Sequence, residues 1–142
     1  MKRILIIDDN ELIRIMLSRY LEHCGYQTLT ASSGLEGIEV FGCCQDLIDL
    51  VLTDLRMPVM TGKETVHQLR KIKPNVNVIC MSGCLDDSCP QGVTLLQKPF
   101  GMDALRNIVH HAFPPDPACP SATANHAVAL HFGQRSASPC QI

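Results

Sequence analysis

Five short aliphatic runs, each followed by a turn or a segment of helical periodicity, constrain this chain more than any other feature. RILII over Arg3–Ile7, IDLVLT over 48–53 and VNVICM over 76–81 carry little polar alternation, the pattern of strands covered on both faces. Shorter runs at 26–30 and 93–96 complete the set. Between them lie helix signals. Asn10 can cap a helix on which Leu12, Ile13, Met16, Leu17, Tyr20 and Leu21 recur at helical spacing up to Gly25. Ser33 with Glu36 three residues on reads as a capping box for a helix through Leu35, Ile38 and Phe41. A helix over 63–73 closes at Pro74, and a last one carries Leu105, Ile108, Val109 and Ala112 before Pro114 and Pro115 stop it. Strands separated by helices are joined by right-handed crossovers, so the expected architecture is a doubly wound α/β fold with a parallel sheet.

Composition narrows the function classes. The chain has 142 residues, of which 46% are hydrophobic, enough for one core. Twelve basic and fourteen acidic residues leave a formal charge of -2, so no electrostatic footprint for nucleic acid or an anionic membrane exists. The apolar run at Ile4 to Ile7 is too short for a signal peptide and no stretch could span a bilayer, which gives the expectation of a cytosolic protein. The eight cysteines then read as reduced thiols packed as small hydrophobes, and His110, His111 and His126 as exposed side chains. From Pro114 the chain turns rich in Pro, Ala and Ser, with Asp116 and Arg135 as its only charges. Residues 114–142 are expected to be a disordered tail on a domain of residues 1–113.

In a parallel sheet the strand ends gather at one edge, where open α/β sheets bind ligands. The first strand ends in Asp8 and Asp9, the third in Asp54 and the fourth in Ser82, while the fifth runs into Lys98. Three carboxylates together need a counter-charge, and an oxygen-only cluster suits a hard cation such as Mg²⁺. With a phosphoryl oxygen completing the coordination, Lys98 neutralising another and Ser82 donating to a third, Asp54 could attack phosphorus and form an aspartyl phosphate.

IDDN, VLTDLRMPVMTG, MSG and LQKPF, in that order, resemble the receiver domain of two-component response regulators over residues 1–113. The resemblance implies a flavodoxin-like five-stranded sheet of order 2-1-3-4-5. It implies Asp54 as phosphoacceptor, and Asp8, Asp9, Asp54 and the backbone carbonyl of Arg56 as Mg²⁺ ligands. Ser82 becomes the switch hydroxyl and Lys98 the phosphate-contacting lysine, with a cis bond to Pro99. The implied donor is a phosphohistidine on a sensor histidine kinase or phosphotransfer protein. The domain would be a switch for an unidentified downstream protein, assisting its own phosphorylation and dephosphorylation rather than working as an enzyme on other substrates.

The interval between Ser82 and Lys98 is shorter than the family's, so the fourth helix is expected to be shortened or missing, and Leu95 stands where many receivers carry an aromatic. Both departures fall on the face that receivers use for output and homodimerisation. Residues 114–142 are too few and too polar to build a DNA-binding module, which gives the expectation of a stand-alone receiver or a piece of a kinase hybrid. An aspartate-nucleophile phosphatase would want a second Asp two residues after the first, and Arg56 stands there. A receiver-like module that binds its partner without phosphorylation is the stronger rival.

Overall fold

In the computed structural model, which describes residues 1–84 and 89–113, the chain alternates β1 (Arg3–Ile7), α1 (Glu11–His23), β2 (Gln27–Ala31), α2 (Gly34–Cys44), β3 (Leu50–Asp54), α3 (Gly62–Ile72), β4 (Val78–Ser82), β5 (Thr94–Gln97) and α4 (Met102–Ala112). All the strands pair in parallel in the order β2-β1-β3-β4-β5. The missing alternation has its explanation in two hydrophobic layers. Ile4, Ile6, Leu50, Leu52, Ile79 and Met81 face Leu17 and Leu21 of α1 and Leu105 and Val109 of α4. Leu5, Ile7, Val51, Val78 and Cys80 face Phe41 of α2 and Val66 and Leu69 of α3. Successive side chains on a strand point to opposite faces, so a sheet with helices on both sides needs apolar residues at every position.

Element ends differ from expectation in ways the hydrogen bonds explain. The third strand begins at Leu50 rather than 48, because the N–H groups of Leu47 and Ile48 are still bonded to the Cys44 carbonyl at the exit of α2. The fourth begins at Val78 rather than 76, since Val76 closes a turn onto the Lys73 carbonyl. Asp54 and Ser82 are therefore the last residues of β3 and β4 rather than the first residues beyond them.

Helix caps show a similar shift. Ser33 caps α2 through the Glu36 N–H, but the Glu36 carboxylate reaches Ser32 instead of the cap residue. A true capping box stands at Thr61 and Glu64, where each side chain accepts from the other's N–H, and it fixes the start of α3. The apolar stripe expected on α1 is wider than the sheet can cover. Leu17 and Leu21 are buried, while Leu12 and Met16 stay 78% and 47% exposed, and Leu35 on α2 is likewise exposed.

Of the connection between β4 and β5, residues 85–88 lie outside the described residues, as do residues 114–142 of the expected tail. None of the described residues of that connection is helical. Cys89 and Val93 pack on the layer that contains Cys80, and Leu95 remains 44% exposed on β5.

Candidate functional site

Asp8 follows β1 directly and is fixed from three directions. Its N–H donates to the Ala31 carbonyl at 3.2 Å, its carbonyl accepts from Arg14 Nη1 at 2.7 Å, and its Oδ1 accepts from the Asn10 N–H at 2.9 Å. Asn10 Oδ1 in turn caps α1 through the Ile13 N–H, so the helix start and the acid are held by one turn of chain. Asp8 Oδ2 is buried and has no hydrogen-bond partner among the described residues.

Across the edge, Asp54 ends β3 and is 7% exposed. Carboxylate oxygens of Asp8, Asp9 and Asp54 all lie within 4.8 Å of one another. Lys98 Nζ stands 3.3 Å from Asp54 Oδ1, and the Arg56 backbone N–H also donates to the Asp54 carboxylate. Lys98 is brought there by its own N–H, which donates to the Ser82 carbonyl at 2.6 Å, and is followed by a cis bond to Pro99. Ser82 is buried at the end of β4, its Oγ donating to the Cys84 carbonyl at 2.8 Å and accepting from the Cys84 N–H at 3.2 Å.

The sheet edge thus brings together Asp8, Asp9, Asp54 and Lys98, with the Arg56 backbone beside Asp54; Ser82 is joined to Lys98 through the backbone. The loop after Asp54 is anchored at both ends, by Leu55 N–H on the Met81 carbonyl and Gly62 N–H on the Leu55 carbonyl, each at 2.9 Å. Within it the exposed, β-branched Val59 is held at φ 69, a conformation that costs on the order of 1–3 kcal/mol.

Burial is the leading cause that raises both Asp54 and Asp8 above the ordinary carboxylate range. Lys98 opposes it at Asp54, and the Asn10 N–H opposes it at Asp8, while the neighbouring acids add to the upward shift. Unfolded, both carboxyls release their protons near 3.8; folded, they release them at higher pH. The fold therefore binds more protons than the unfolded chain in that window, so this contribution to stability falls as pH rises above 3.8. Urea unfolding in EDTA across that range is expected to show the fall, and Mg²⁺ is expected to offset it at neutral pH. A stability that instead rises through the window without any cation would contradict the electrostatics.

The residues fit a hard divalent cation. All donors are oxygens, three carboxylates converge within contact range, and a buried carboxylate oxygen has no partner among the described residues.

Reading strand ends finds the acids and the lysine but misses Arg14, which holds the Asp8 backbone from one turn into α1. The signal available was a cation six residues after the acid pair's first member on the helix that the pair leads into.

A parallel sheet of order 2-1-3-4-5, with acids and a lysine gathered at the carboxyl edge of its strands, defines a doubly wound α/β protein whose acidic cluster could hold a metal ion. The response regulator receiver domain model matches residues 4–110, and the chain belongs to that family, a component of two-component phosphorelays. It is 36% identical over 119 residues to sporulation initiation phosphotransferase F of Bacillus subtilis, covering 80% of this chain and 94% of that one. The autoinducer 1 sensor kinase/phosphatase LuxN of Vibrio campbellii is 30% identical over 75% of this chain, which spans 13% of LuxN's length. Among solved structures, the response regulator TrrA of Thermotoga maritima in complex with Mg²⁺ and BeF superposes with a TM-score of 0.71 at 30% identity, covering 80% of this chain and 100% of that one. No helix among the described residues is long and apolar enough to cross a membrane.

Proposed function

We propose that this chain is a cytoplasmic phosphoacceptor switch, with residues 1–113 as the receiver unit, that takes a phosphoryl group onto Asp54 from a phosphohistidine on a sensor histidine kinase or phosphotransfer protein. The observation that carries the reading is the convergence of three carboxylates within 4.8 Å, one of them 3.3 Å from the Lys98 ammonium. Asp54 is the nucleophile, its carboxylate held in place by the Arg56 N–H and Lys98. Lys98 leaves its ion pair with Asp54 to meet a phosphoryl oxygen. Ser82, whose Oγ is engaged with the Cys84 backbone, exchanges those bonds for one to the phosphoryl group and carries the change into the β4–β5 side. Asp8, Asp9, Asp54 and the Arg56 carbonyl would hold Mg²⁺, which would supply neutralisation of the charge that accumulates on the phosphoryl oxygens. The match to 94% of a Bacillus subtilis protein named a phosphotransferase supports a place in a relay.

Incubation with a phosphorylated histidine donor and Mg²⁺ is expected to label the wild type and leave Asp54→Ala unlabelled, with unchanged circular dichroism. Undiminished labelling of Asp54→Ala would sink the assignment. The exposure of Leu95 and the absence of helical cover among the described residues of the β4–β5 connection favour one alternative, a receiver that binds its partner without phosphorylation. Partner affinity that is unchanged by phosphorylation, and the same in Asp54→Asn, would distinguish it.

A further inference from the structure

Cys80 lies in the middle of β4, fully buried on the face that α2 and α3 cover. Above β4, part of the covering is supplied by the loop that precedes β5. Cys89 and Val93 pack on the same apolar layer, and Cys89 stands close enough to Cys80 to perturb its thiol. The loop is pinned rather than merely resting there. Arg70 of α3 donates through Nη2 to the Gln91 carbonyl, and Gly92 takes φ +80 to turn the chain into β5. Both sulfurs carry thiols in this structure.

We propose that Cys80 and Cys89 form a reversible redox pair, closing to a disulfide that clamps the segment from Cys89 to Val93 onto the sheet. Burial first, then the neighbouring Cys89, pushes the Cys80 thiol up to about 12, so Cys80 is not the sulfur that meets an oxidant. Cys89 is half-buried where Cys80 is fully buried, so it is the more accessible of the two. With a peroxide as oxidant, the Cys89 sulfur attacks the O–O bond, which breaks, and hydrogen peroxide leaves as water with a sulfenic acid on Cys89. The Cys80 sulfur then attacks the Cys89 sulfur, the S–S bond forms, and the sulfenic oxygen departs as a second water carrying the Cys80 proton. Two thiols are oxidised by two electrons and one peroxide is reduced to two waters. Holding the two thiols on one apolar layer compensates for the small thiolate fraction of Cys80, because the second step is intramolecular. A dithiol reductant reverses the bond by exchange, itself ending as a disulfide. Cys80 precedes the end of β4 by two residues, so the cross-link restrains the segment through which Ser82 would transmit its movement.

The test is treatment of the full chain with hydrogen peroxide, blocking of remaining thiols with N-ethylmaleimide after unfolding, and peptide mapping. The expected result is the loss of two hydrogens in a Cys80–Cys89 cross-linked peptide, reversed by dithiothreitol, absent in Cys89→Ser and kept in Cys84→Ser. A Cys84–Cys89 link as the main product, or Cys89 oxidised to sulfinic acid with Cys80 still alkylatable, would overturn it. The readout involves no phosphoryl transfer, so it stands or falls apart from the role of Asp54.

Discussion

Asp8→Asn is expected to raise the unfolding free energy of the metal-free protein by about 1–3 kcal/mol and to remove the stabilisation that Mg²⁺ gives the wild type. Asp8 Oδ2 is buried with no partner among the described residues, and a carboxylate oxygen of Asp8 lies within 4.8 Å of those of Asp9 and Asp54. An ionised oxygen so placed loses hydration and meets like charge, and nothing among the described residues returns the cost without a cation. Asparagine keeps the Oδ1 that accepts from the Asn10 N–H and removes the charge. Melting curves with EDTA and with Mg²⁺ measure both effects. A variant that melts lower than wild type in EDTA and still gains from Mg²⁺ would show that Asp8 is stabilised by the fold rather than strained in it.

Gly62→Ala is expected to lower stability by about 1–3 kcal/mol and to reduce phosphoryl acceptance on the order of a hundredfold if Asp54 is displaced by about 1 Å. A Cβ at Gly62 would meet the Asp54 carbonyl oxygen at 2.3 Å and the Leu55 Cα at 2.7 Å. Both are backbone atoms, so no rotamer change relieves the contact, and α3 must move away from the end of β3. Gly42→Ala provides the contrast. Its Cβ meets only Ile72 Cδ1 at 4.0 Å, and within α2 alanine is expected to be neutral or stabilising by up to about 1 kcal/mol. Urea unfolding of the two variants measures the difference; equal stabilities would contradict the close approach of α3 to Asp54.

Much of this was legible in the residues, for reasons that differ by element. β1, β3 and β4 announce themselves because burial on both faces leaves an aliphatic run with little alternation, and the helices that separate the first four strands point to parallel pairing. Asp8, Asp9, Asp54 and Lys98 are legible because strand direction alone carries strand ends to one edge. The roles given to them came from the likeness of four ordered motifs to receivers rather than from spacing. Other features depend on contacts that a sequence does not encode locally. Periodicity marks six apolar positions on α1 but does not say that Leu12 and Met16 lie beyond the edge of the covered face. Three-residue spacing suggests that Glu36 closes a box on Ser33, yet the carboxylate finds Ser32, and the box forms instead at Thr61 and Glu64. The grip of Arg14 on the Asp8 carbonyl and the positive φ of Val59 are set by how α1 and the loop after β3 meet the sheet.

The most direct test of the central claim is intact mass after incubation with acetyl phosphate, with and without Mg²⁺, for wild type and Asp54→Asn. A gain of one phosphoryl group that requires Mg²⁺ and vanishes in the variant is the result expected from an acceptor carboxylate set among Asp8, Asp9 and Lys98. No gain in a folded wild type, or the same gain in Asp54→Asn, would contradict it.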